Sequence, residues 1–278
     1  MKRRTLRQLA AKVPKEKKKG AWKKWLILAP LFLLLAAFIY FVNLPQYQIE
    51  KVEVKGALLT NESSIRDVAL NEISSDYFFV VPKSFEWLYP RGKIRKKIEM
   101  MPSVLEASLD LDRKTRTLAI EIVERKQEYV WCAPWIEGEG SAMRQCFYMD
   151  KDGLIFIKAP LFEGQVFLTF SGLVDPESPV GKNFLPGMHM ANLLEFIGNL
   201  RSQGLSVASV NAMSTREVHV RLASGTDVII TLEEPLLPVA KSISTLLQSD
   251  DFKSASGGID ALSYIDLRYG SKAFWKER

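Results

Sequence analysis

The hydrophobic and polar positions of the chain fall into three regimes. Residues 25–42, WLILAPLFLLLAAFIYFV, form an apolar run without a single charge. At 1.5 Å per helical residue the run reaches about 27 Å, close to the ~30 Å hydrocarbon thickness of a bilayer. With Asn43-Leu44 supplying the remainder, a membrane helix over 25–44 is predicted. Pro30 is expected in the first turn or so, where a missing N–H costs little. Trp22, Trp25 and Tyr40 sit near the two ends, where amphipathic rings prefer the headgroup level. A cleaved signal peptide has a shorter apolar core, and neither an A-x-A site nor a lipidation Cys follows the run.

Beyond Pro45 the pattern alternates. IEKVEVKG (49–56) reads as a strand with Val52 and Val54 on one face. Ser64 is placed to cap a short helix, IRDVAL, with Asp67 as a weak capping-box partner. An aromatic loop follows (Tyr77, Phe78, Phe79, Phe85, Trp87, Tyr89), read as a local satellite core. KIRKKIEMM reads as a helix burying Ile94, Ile98 and Met101 and stopped by Pro102. Leu105, Ala107, Leu109 and Leu111, then Leu118, Ile120 and Ile122, alternate with polar neighbours around the turn DRKTR, a hairpin signal. The order over 47–126 is β-α-α-β-β.

From Tyr129 the third regime is mainly strands with two helices. A helix over 187–203 carries Met190, Leu193, Leu194, Ile197 and Leu200 on one stripe and ends at Gly204. Val218, Val220 and Leu222 alternate toward Gly225, and Val228, Ile230 and Leu232 alternate back. A second helix spans about Pro235 to Leu247, and a final strand places Ile265, Leu267 and Tyr269 on one face. In MDKDG (149–153) the distal ligands of a calcium loop are missing, and Asp152-Gly153 reads as a hairpin turn. Cys132 and Cys146 favour a disulfide if they lie outside the cytosol. Free thiols are one alternative. A metal site is another, but it needs two further ligands, and His189 and His219 lie far along the chain.

Charge sharpens the picture. Residues 1–24 hold eleven basic residues and one acid, a net +10, so the other 254 of the 278 residues carry a net −4. A basic tail ahead of an apolar span fixes its side as cytoplasmic by the positive-inside rule and is attracted to anionic headgroups. The body is therefore expected outside the plasma membrane, and nucleic acid is not an expected partner. No G-x-S-x-G or H-E-x-x-H occurs, and neither histidine sits in a nucleophile motif, so no catalytic residue, cofactor or metal is assigned.

The run KIRKKIEMMPSVLEASLDLDRKTRTLAIEIVERKQEYVW, with its Pro-x-Val, basic turn and Glu124-Arg125 pair, resembles the POTRA domain of the FtsQ/DivIB bacterial cell-division proteins. The preceding Val54-Lys55-Gly56 fits the same pattern. FYMDKDGLIF and YIDLRYGSKAFW resemble the opening hairpin and closing strand of the FtsQ β-domain. The loop from Asp76 to Arg91 is longer and more aromatic than the family's, and the cysteine pair lies outside its pattern. The resemblance implies an α+β chain: a basic tail (1–24), a transmembrane helix (25–44), a POTRA domain (47–126) and an FtsQ-type β-domain (127–278). It implies a single-pass, non-enzymatic divisome scaffold at the division septum. Its closing strand would act as an edge that adds a strand from FtsB/FtsL-like single-pass partners and so supports septal cell-wall synthesis. The implied partner residues are Arg268, pairing with a carboxylate, Tyr269 and Trp275, as aromatic anchors, and Ser271. A POTRA-bearing translocation or assembly factor and a membrane-anchored cell-wall enzyme are the alternatives.

Overall fold

The computed structural model describes residues 21–134, 145–160, 162, 164–250, 252, 254, 258–270 and 272–278. Gly138 and Gly140, between the two cysteines, lie outside them, as does Ser271. Among the described residues the chain is α+β, with five α-helices, a three-stranded sheet, a nine-stranded sheet and a separate hairpin.

Among the described residues, helix α1 (Ala21–Val42) contains the one stretch, Trp25–Val42, long and apolar enough to cross a membrane. Pro30 lies in its interior, not in the first turn, so one N–H is missing from the ladder there. The helix stops at Val42, two residues earlier than predicted. The Asn43 side chain donates to the Ile39 carbonyl at 2.8 Å, satisfying a terminal acceptor. Pro45 holds Leu44 extended, at φ −67° and ψ 127°.

Next come β1 (Lys51–Lys55), α2 (Glu62–Ile73), the hairpin β2 (Asp76–Tyr77) and β3 (Val81–Pro82), α3 (Arg91–Glu99), β4 (Val104–Asp112) and β5 (Thr117–Glu124). The strands order as β1-β5-β4. Three details differ from expectation. Helix α2 is capped by Asn61, whose Oδ1 accepts from the Ser63 N–H at 3.0 Å, and not by Ser64. Helix α3 ends at Glu99, leaving Met101 half-buried beyond it. Leu105 is exposed, because Val104 takes the buried position and the alternation restarts at Ala107.

The larger sheet comprises β6 (Tyr129–Cys132), β7 (Cys146–Met149), β8 (Ile155–Lys158), β9 (Thr169–Gly172), β10 (Val207–Ser214), β11 (Glu217–Leu222), β12 (Asp227–Ile230), β13 (Leu262–Tyr269) and β14 (Lys272–Glu277). Their spatial order is β14-β13-β12-β11-β10-β9-β6-β7-β8. The pairs β6/β9, β9/β10 and β12/β13 are parallel, so each needs a crossover. Helices α4 (Gly187–Ser202) and α5 (Leu236–Gln248) supply the last two. Met190, Leu193, Phe196, Ile197 and Leu200 of α4 join Leu236, Ala240 and Ile243 of α5 in one core with Trp131, Phe170, Val210, Val220, Ile230 and Ile265 of the sheet. At Gly172, φ is +87° and a Cβ would stand 2.0 Å from the Ala212 carbonyl oxygen, so only glycine fits where β9 meets β10.

The chain divides into two compact units: Met1–Val52 with Ala69–Pro90 and Leu111–Leu118, and Glu53–Val68 with Arg91–Asp110 and Ala119–Arg278. Within the second unit, Glu124 and Arg125 act as structural joints. The Glu124 carboxylate accepts the N–H groups of Leu58 (3.0 Å), Leu59 (2.9 Å) and Thr60 (2.7 Å). Arg125 donates to the Pro102 carbonyl at 2.9 Å and to the Asp150 carboxylate at 2.8 Å. Asp150 also accepts from the N–H groups of Asp152 and Leu154, holding the turn that Gly153 completes at φ +84°.

Candidate functional site

The residues singled out near the C-terminus lie at one end of the nine-stranded sheet. Strand β13 pairs in parallel with β12 (Val228↔Ile265, Ile229↔Asp266). On its other side β14 pairs antiparallel with it (Ile265↔Trp275, Asp266↔Phe274, Tyr269↔Lys272). The expectation that the strand bearing Arg268 and Tyr269 is itself the free edge is therefore not met. The chain turns at Gly270, at φ +65°, and folds its own last segment along β13. The edge is β14, and among the described residues no strand lies beyond it. The opposite edge, β8, is partly strapped: Ile155 exchanges backbone hydrogen bonds with Gly181 (2.7 Å) and Lys182 (3.0 Å).

Alternation in KAFWKE explains the added strand. Ala273 packs against the core and the Trp275 ring meets Phe252 edge-on, with centroids 5.4 Å apart. Lys272, Phe274 and Lys276 take the opposite face. Trp275 is 38% exposed, so part of this expected anchor is already spent on its own fold. Tyr269 is 57% exposed and does not continue the buried face of Ile265 and Leu267. A register irregularity between Asp266 and Tyr269 carries it outward. There its ring meets Phe274, itself 52% exposed, in a T-shaped contact at 5.4 Å. The sequence reading missed Phe274. Its signal is the polar-side position in a short alternating segment after a Tyr-Gly turn.

Arg268 is engaged within the chain. Its Nε and Nη2 donate to Asp266 at 2.9 and 2.7 Å, a forked pair, and Nη1 donates to Glu217 of β11 at 3.1 Å. His219 Nε2 lies 3.1 Å from the other Glu217 oxygen. Burial pushes the Asp266 carboxyl up, but the hydrogen bonds and charge of Arg268 prevail and hold it below the ordinary carboxylate range. Glu217 is lowered first by its hydrogen bond with His219 and then by Arg268. Arg268 is raised in turn, chiefly by Asp266. This ion network and the Tyr269–Phe274 pair border the free edge with a charged floor and an aromatic rim. Tyr264, Asp266, Tyr269, Lys272 and Phe274 line a shallow open groove there.

Cys132 and Cys146 are joined in a disulfide between facing residues of β6 and β7. Among the described residues no group of three or more His, Cys, Asp or Glu is placed to hold a metal ion. The chemistry this sheet end offers is backbone pairing plus aromatic and ionic contact. No protein-family model matches the chain, and no curated protein matches it.

Proposed function

We propose that this protein is a membrane-anchored, non-enzymatic scaffold whose sheet end captures an extended segment of a partner by strand addition along β14. The observation that carries the reading is the free edge of β14 beside the exposed pair Tyr269 and Phe274. Unpaired N–H and C=O groups along an edge supply sequence-independent attraction, and flanking aromatics supply anchoring and register. Arg268 serves as a positioning residue. Its fork to Asp266 and Glu217 stiffens the end of β13 against which β14 lies.

The resemblance to the FtsQ/DivIB family gives the partner its chemistry: FtsB/FtsL-like single-pass division proteins, bound outside the plasma membrane at the septum. The basic tail and the Trp25–Val42 span support the orientation this needs, with the N-terminus cytoplasmic. Co-purification of the full chain from its membrane tests the reading. The double variant Tyr269→Ala/Phe274→Ala should lose a single-pass partner that the wild-type chain retains, with circular dichroism and the disulfide unchanged. Equal recovery with both chains refutes edge capture.

A further inference from the structure

The β2–β3 hairpin of the first unit points to a second contact with the bilayer. Its strands pair through Asp76↔Pro82 and Tyr77↔Val81, and the tip is Phe78-Phe79-Val80. Phe78 and Phe79 are 92% and 97% exposed. Both have left-handed backbone, at φ 51° and 63°, a region that bulky side chains rarely adopt. Two adjacent phenylalanines held in this conformation, with their rings off the protein, satisfy no folding requirement.

The base of the hairpin is nevertheless firm. The Tyr77 hydroxyl donates to the Leu88 carbonyl at 3.1 Å, and Lys83 donates to Ser75 through both its backbone N–H (3.0 Å) and its ammonium (2.8 Å). The tip is also tied to the end of the apolar helix. Asn43, the first residue past Val42, donates from Nδ2 to the Val80 carbonyl at 3.2 Å. Phe41, Tyr47, Phe85 and Trp87 form one aromatic cluster beside that tie, with centroid separations of 4.8 to 6.3 Å. Arg113 and Lys114, in the turn between β4 and β5, line a groove with Leu44, Pro45 and Gln46.

We infer that Phe78 and Phe79 insert into the headgroup–acyl boundary of the leaflet from which α1 emerges, with Lys114 facing lipid phosphates while Arg113 stays 3.9 Å from the Glu86 carboxylate. The inference rests on the reading of α1 as a membrane anchor. If Trp25–Val42 spans the hydrocarbon, Asn43 marks its boundary, and a carbonyl 3.2 Å from Asn43 puts the tip at that depth. Apolar rings at this level are covered by lipid, while cations are attracted to anionic headgroups. The hairpin then fixes the emerging chain at two points, the span and the tip, and limits its tilt and rotation at the surface.

The test uses the full chain with Phe79→Cys. Because the native cysteines are joined, a thiol-reactive environment-sensitive dye labels only the new site. The protein is reconstituted in vesicles of phosphatidylcholine and phosphatidylglycerol, in roughly a 3:1 ratio to supply anionic headgroups. The same dye coupled to free cysteine is the comparison. Nitroxide on the lipid should quench the label at 79 at least about twofold more than the free adduct, as burial ~5–10 Å into the interface requires. Phe78→Cys should give the same result. Equal quenching of the label at 79 and the free adduct, with equal access to iodide, overturns the proposal. A label shielded from both lipid nitroxide and iodide also overturns it, because it means that protein covers the tip. Failure of the chain to float with the vesicles overturns the anchor reading itself, which flotation scores separately.

Discussion

Two hairpins of this chain present aromatic side chains to the outside, and they are supported differently. At the β2–β3 tip, Phe78 and Phe79 stand almost fully exposed on strained backbone. At the β13–β14 end, Tyr269 and Phe274 are about half-exposed and pack on each other, and Arg268 lies 5.8 Å from the Tyr269 ring centre. The first pair stands free of its own chain's packing, which suits a covering that conforms to it, as lipid does. The second is already ordered and borders a row of backbone groups in fixed register, which suits a peptide segment. Exposure of an aromatic ring is thus informative mainly through what holds the ring in place.

Perturbing the supports separates the two. Cys132→Ser/Cys146→Ser removes the tie between β6 and β7 and should cost the sheet about 3 kcal/mol, lowering Tm by roughly 6–12 °C in calorimetry of the full chain. Lipid quenching at Phe79 should not change, because that hairpin belongs to the other compact unit. A parallel loss of lipid contact would show that the two hairpins share their support.

Glu124→Ala strips three backbone N–H groups of their acceptor and should cost about 2 kcal/mol by denaturant titration. Burial raises the Glu124 carboxyl, but hydrogen bonds from Thr60, Leu59 and Leu58 outweigh it, so its folded pKa lies below the ordinary 4.5. Asp266 likewise lies below its ordinary 3.8. Depressed carboxylates contribute stability that is fully present above their ordinary pKa and lost as pH falls through the folded value. Stability of the second unit should therefore hold from neutral pH down to about pH 4.5 and fall below it. Glu124→Gln should flatten that fall, which a pH series of denaturant midpoints reads.

Tyr269→Ala/Phe274→Ala removes one aromatic pair and should cost only about 0.5–1.5 kcal/mol while abolishing partner capture. The smallest effect is expected at the other hairpin. Phe78→Gly and Phe79→Gly should leave stability in detergent unchanged or raise it by up to about 1 kcal/mol, because glycine relieves the left-handed backbone. A marked loss of stability would show that the tip belongs to the protein core.

Much of the fold is legible where one face of a strand is buried and the other is wet. Leu118, Ile120 and Ile122, and Val218, Val220 and Leu222, are buried in strict alternation, and the Asp150–Gly153 turn forms where Asp-Lys-Asp-Gly predicts it. The period fails where a strand carries an irregularity. β10 buries Val207, Val210 and Ala212, with a register shift between Val207 and Ser209 that hides its alternation in the sequence. Tyr269 is misplaced by the same effect on β13. In α4 the buried stripe includes Phe196, which the expected stripe omitted.

The candidate site was half legible. Its residues cluster at one sheet end, but the strand covering β13 is six residues long and exposed along most of its length, so hydrophobic patterning signals it weakly. Arg268 is expected to pair with a partner's carboxylate, yet Asp266 two residues before it and Glu217 of β11 both hold it, and sequence separation conceals only the second. Asn43, the tie between helix and hairpin, carries no motif at all.

If a partner adds a strand along β14, a photoreactive amino acid at Phe274 of the full chain, irradiated in its native membrane, should form a covalent adduct to an extended segment of a single-pass membrane protein. The crosslinked peptide should map outside that protein's span. Adducts that form only within the chain itself, or that map to a partner's helical surface instead of an extended segment, would rule out strand addition at β14.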